Sequence, residues 1–111
     1  MATNKSEANE LRRIGAKVHK NSGRGMVKGD GSLDRYVVDV KEYQTSFSVS
    51  RDSWAKICTD TLKVDPNKEP LLCIVLGKPE QPKTRLGIIA WSELEELREI
   101  REKYEELTNG N

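Results

Sequence analysis

Three residues in one stretch have the types and spacing for metal-assisted chemistry. Asp30 closes the Lys28-Gly29-Asp30 turn, and nine residues later Asp39 stands two before Lys41 in the run Val37-Val38-Asp39-Val40-Lys41. Strand side chains alternate faces, so Val37, Asp39 and Lys41 share one side while Tyr36, Val38 and Val40 share the other. Charges in a run this apolar are costly unless they pair or bind a metal. Two carboxylates beside one ammonium suit hydrolysis of a phosphodiester with a divalent metal. The competing reading is a surface ion pair between Asp39 and Lys41, worth about 0–1 kcal/mol. The flanking valines argue instead for a central strand.

This arrangement resembles the PD-(D/E)xK nuclease superfamily, whose signature is an Asp followed, across a turn, by Asp/Glu-x-Lys on the next strand. Asp30 matches the first position, Asp39 the second and Lys41 the lysine. Upstream, Ser22-Gly23-Arg24 is similar to the Ser-Gly that precedes the aspartate in Holliday-junction resolvases of phage and archaeal type. Before it lies a short segment with Glu7 and Glu10, where such families carry a helix that supplies a further acid. Downstream, Ser46-Phe47-Ser48-Val49-Ser50 and a segment with Trp54 and Ile57 resemble the strand and helix after the lysine. Two positions depart from the pattern: Gly29 stands where the family has proline, and Asp39 replaces the commoner Glu, shortening the reach to metal.

The resemblance implies roles. Asp30 and Asp39 would ligate Mg2+ or Mn2+, with the carbonyl of Val40 as a third protein donor and waters filling the rest. Lys41 would hold and help deprotonate the attacking water, or stabilise the developing negative charge. Glu7 or Glu10 would touch a second metal or one of its waters, and Glu7 is preferred because Leu11 and Ile14 repeat its face. Ser22, Gly23 and Arg24 would contact phosphate, glycine letting the backbone approach and arginine offering its fork. Lys28 would hold the DNA backbone. The sole histidine, His19, reads as a surface or partly packed residue, and Trp54 and Trp91 as core or interface residues.

The elements that must position these residues follow from periodicity and punctuation. Ser6 followed by Glu7 reads as a helix start, with Ala8, Leu11, Ile14 and Val18 as its apolar stripe. Ala16 to Asn21 reads as a short strand, Gly31-Ser32-Leu33-Asp34 as a turn, Arg35 to Glu42 as the central strand and Thr45 to Ser50 as the next. Ser50 can cap a helix from Arg51 to about Leu62. Leu71 to Leu76 is a continuous apolar run, hence a strand buried on both faces, and Arg85 to Trp91 its partner. Ser92-Glu93-Leu94-Glu95 predicts a capping box opening a helix with Leu94, Leu97, Ile100 or Arg101, Tyr104 and Leu107 at helical spacing. The order is α-β-β-β-α-β-β-α: a single α/β domain over residues 1–111, a mixed central sheet flanked by helices, which the resemblance makes a restriction-endonuclease-like core. Residues 1–5 and 108–111 read as disordered tails.

With 111 residues, 35% hydrophobic and 33% charged, the chain can bury one modest core. Its net charge of +1 hides an asymmetry. Residues 1–29 carry seven Lys and Arg against two Glu, and residues 92–111 seven Glu against three Lys and Arg. That pattern predicts a basic binding face near the N-terminus and an acidic helix elsewhere. Cys58 and Cys73, isolated in apolar contexts, read as reduced thiols rather than a disulfide. No run reaches transmembrane length and no leader is evident, so the expectation is a cytoplasmic protein, in the host cytoplasm if phage-encoded.

The expected function is a metal-dependent, structure-specific endodeoxyribonuclease acting on branched DNA such as a four-way junction. Paired cuts on a two-fold substrate imply a homodimer. The alternatives are a general nicking or repair nuclease of the same fold and a non-catalytic DNA-binding accessory protein.

Overall fold

A five-stranded sheet in the order β1-β2-β3-β4-β5 carries one helix on each face. The computed structural model describes residues 4–19 and 31–109. Along the chain the elements are α1 (Asn4–Arg13), β1 (Lys17–Val18), β2 (Gly31–Leu33), β3 (Tyr36–Tyr43), α2 (Arg51–Val64), β4 (Glu69–Leu76), β5 (Thr84–Ile88) and α3 (Trp91–Asn109). Only the β3–β4 pair is parallel, and every other neighbouring pair is antiparallel. The single α/β domain with a mixed sheet is the layout expected from the sequence.

Two glycines shape the entry to the sheet. At Gly15 (φ 83) α1 ends in a left-handed residue, with Gly15 N–H donating to the Arg12 carbonyl and Ala16 N–H to the Leu11 carbonyl. These two bonds form a Schellman motif, and its partner side chains Leu11 and Ala16 are both buried in the core. Gly31 is needed for proximity instead. A Cβ there would lie 2.7 Å from the Lys17 carbonyl oxygen and 3.1 Å from Leu11. The β2–β3 hairpin then turns on Asp34 and Arg35, with Leu33 facing Tyr36. Asp34 takes the positive φ (52) that a two-residue hairpin requires, at small cost for a short polar side chain.

The core is split by the sheet. On one face α1 packs Leu11 against Val38, Val40 and Val75, and on the other α2 packs Ile57 against Leu72 and Ile74. β4 has residues in both clusters, as its unbroken apolar run requires. Ser50 caps α2 as expected, accepting from Ser53 N–H at 3.0 Å while Ser53 Oγ accepts from Ser50 N–H at 2.9 Å.

Several expectations are corrected. The segment 45–50 is not a strand: it is the first arm of the β3–α2–β4 crossover, with Phe47 half-buried against the α2 cluster and Val49 exposed. The third strand of the predicted order is β2, inside the stretch read as a turn, where only Asp34 is turn. Ser6 does not start α1, which begins at Asn4; its hydroxyl is bonded to Glu42. The Ser92 capping box is replaced by a start one residue earlier, where the Ala90 carbonyl accepts from Glu93 and Leu94. Glu93 is drawn inward, buried, to accept from Tyr36 Oη at 2.7 Å and to pair with Arg35 at 3.3 Å. The ends expected as disordered tails are partly helical, since α3 runs to Asn109. Trp91, expected at a core or interface position, is exposed in the single chain.

Candidate functional site

β3 is the middle strand of the sheet, but its described pairing with β2 stops at Val38, so among the described residues the strand pairing of Asp39 and Lys41 is on the β4 side alone. Asp39 is paired in register with Leu72 and Lys41 with Ile74, which puts both on the α2 side. Lys41 Nζ stands 3.4 Å from Asp39 Oδ1, with Asp39 the more deeply set of the two. The described β2–β3 ladder ends at the Gly31–Val38 pair, immediately before Asp39.

α1, on the opposite face of the sheet from Asp39 and Lys41, carries the two candidate acids. Burial is the main reason the Glu7 carboxyl is raised above its ordinary 4.5; the Lys41 ammonium opposes the shift, while Asp39 and Glu42 add to it. Glu7 is thus coupled to both strand residues. Glu10, one turn later, receives Arg85 Nε at 2.9 Å and its terminal nitrogen at 3.2 Å, a fork closed onto β5, where Arg85 is level with Val75 and Glu42. The structure therefore separates the two candidates that the sequence left together. Of the two alternatives, Glu10 has its carboxylate held by Arg85, while Glu7 lies within electrostatic range of Asp39 and Lys41.

Asp30, Ser22, Gly23, Arg24 and Lys28 lie outside the described residues. His19 is half-buried beside Ser32, its Nε2 2.5 Å from Ser32 Oγ, as a partly packed residue would be. Trp54 packs in the α2 cluster. Cys58 and Cys73 are free thiols, both raised above their ordinary value chiefly by burial. Among the described residues no three His, Cys, Asp or Glu side chains gather closely enough to hold a metal ion, and no helix is long and apolar enough to cross a membrane.

Sequence reasoning missed the cleft beyond Lys41. A volume of about 520 Å³ opens between Ser6, Glu42, Tyr43, Gly77 and Lys83. A smaller one of about 360 Å³ lies between Tyr43, Ser46, Phe47 and Ser48. Tyr43 borders both and is stacked on Phe47 with ring centroids 5.1 Å apart. Both hollows lie at the carboxyl end of the parallel β3–β4 pair, where open α/β sheets commonly bind ligands. The signal available was period two: Tyr43 follows Lys41 on the same strand face. Lys83 carried none, since it reaches the cleft by donating its ammonium to the Gly77 and Lys78 carbonyls.

No protein-family model matches this chain, and neither does any curated protein or solved structure.

Proposed function

We propose that the chain is a metal-dependent, structure-specific endodeoxyribonuclease of the PD-(D/E)xK superfamily, resolving four-way DNA junctions as a homodimer in a reducing cytoplasm. One observation carries this reading: Asp39 and Lys41 stand 3.4 Å apart on one face of β3, in an otherwise apolar run whose neighbours Val38 and Val40 are buried.

The donor types suit Mg2+ or Mn2+. Asp39 and the Val40 carbonyl offer hard oxygens, and Mg2+ is commonly held by one or two carboxylates with waters completing the shell. Asp39 and Val40 would hold the ion, with Asp30, and when bound it supplies Lewis-acid charge at the scissile phosphate. The remaining work falls to the chain. Lys41 positions the attacking water and balances charge as it develops on phosphate oxygen. Glu7 orients that water from the α1 side. Tyr43, one step beyond Lys41 on the same face, bounds the cleft into which a strand would run.

The test incubates purified protein with an end-labelled four-way junction or a linear duplex, with Mg2+ or with EDTA. Cleavage of the junction alone, abolished by EDTA, is the expected result. Equal cleavage of duplex would replace the resolvase with a nicking nuclease, and tight junction binding without cleavage would leave an accessory DNA-binding protein.

A further inference from the structure

α3 is anchored only at its start. Glu93 is buried against Tyr36 and Arg35, yet every residue from Glu95 to Asn109 is exposed. Despite this, Leu97, Ile100, Tyr104 and Leu107, at 41%, 54%, 66% and 76% exposure, form one continuous stripe. Their spacing of three, four and three residues is the a/d repeat of a coiled-coil seam, with Leu97 and Tyr104 at a and Ile100 and Leu107 at d. A solvated helix has no use for such a stripe.

The charges around the stripe say what covers it. Glu95, Glu99, Glu102, Glu105 and Glu106 fall on the outer b, c and f positions, away from the seam. The flanking g and e positions hold Glu96, Arg101, Lys103 and Thr108. A basic partner helix would meet Arg101 and Lys103 there and be repelled. Against a second α3 running parallel and in register, each g residue meets the e residue five positions later on the other chain. Glu96 then faces Arg101 of the other copy, twice by symmetry, while Lys103 faces Thr108. An antiparallel pairing of the same stripe sets Arg101 beside Arg101 and Lys103 beside Lys103. Among the described residues of the single chain Glu96 pairs with the half-exposed Arg35 at 3.5 Å and Arg101 with Glu105 at 3.7 Å, surface pairs that exchange at little cost.

We propose that α3 pairs with α3 of a second copy of this chain, parallel and in register, along the Leu97–Ile100–Tyr104–Leu107 seam. The contact is isologous, so it closes at two chains. It does not depend on the nuclease reading, because no residue of the seam belongs to the candidate site, and loss of cleavage would leave it intact.

Sedimentation equilibrium of the full chain over a concentration series tests it. A mass rising to twice 12.6 kDa is expected. The exposed pair Ile100→Asn and Leu107→Asn, made together, should leave a monomer with unchanged circular dichroism. Glu96→Arg and Arg101→Glu should each weaken association roughly tenfold, and mixing these two variants should restore it, since each then meets its opposite. That rescue remains informative even if the seam variant fails to fold. A single-chain mass at every concentration overturns the proposal. So does a mass of four chains, which Leu at a with Ile at d can also support, and so does a mixture no tighter than its components.

Discussion

The proposed chemistry requires that Asp39 and Lys41 be replaceable without loss of the fold. Asp39→Asn and Lys41→Ala should each lower junction cleavage by at least about a hundredfold while leaving junction binding near wild type, because these groups serve metal and water rather than the DNA backbone. A gel-shift titration beside a cleavage time course checks both halves, and unfolding of either variant would remove the assignment. Glu7→Gln and Glu10→Gln give a sharper contrast. Glu7→Gln should slow cleavage at unchanged melting temperature, whereas Glu10→Gln, which loses the Arg85 fork, should lower the melting temperature at unchanged cleavage. The Asp-x-Lys pair was legible because strand alternation needs only neighbours in sequence. The choice between Glu7 and Glu10 was not, since it is made by Arg85 at the far end of the chain.

At the scale of elements, packing and local polar bonds decide what alternation cannot. Gly31→Ala should destabilise the domain by about 1–3 kcal/mol in urea denaturation, because the added methyl meets the Lys17 carbonyl and Leu11 in a closed corner. The anchor of α3 gives a pH signature. Burial, and then the hydrogen bond to Glu93, raise the Tyr36 phenol from 10.0 to about 12. The folded state therefore keeps a proton that the unfolded chain loses first. This contribution to stability is complete below pH 10 and falls away as pH climbs toward 12. Denaturation midpoints between pH 9 and 12 should show that slope, and Tyr36→Phe should remove it together with the phenolate absorbance that appears near pH 12. The same anchor explains the misplaced start of α3: Ser92-Glu93-Leu94-Glu95 has a capping-box pattern, but Glu93 has a better partner in a residue far upstream. Likewise, segment 45–50 alternates like a strand, yet β3 takes its parallel neighbour from across the α2 crossover. Helix α2, β3 and β4 were legible because their caps and apolar runs are local and their burial agrees with them.

For the molecule as a whole, two copies on a two-fold junction should cut both strands within one encounter. On a supercoiled cruciform plasmid, linear product should appear without prior accumulation of open circles; open circles preceding linear product at all enzyme levels would favour the nickase. The expected charge asymmetry finds its acidic half in α3, outside the candidate site. The parallel pairing of β3 with β4 has a further consequence, for the order of events during synthesis. Asp39 and Lys41 leave the ribosome before the strand that holds them in place, since Leu72 and Ile74 follow only after the whole of α2. At ordinary elongation rates that interval is roughly 2–7 s. A nascent chain thus carries the acid and the lysine through this delay without the sheet that aligns them, and a polypeptide released before Glu69 has the proposed chemical groups but no means of aiming them at a DNA strand.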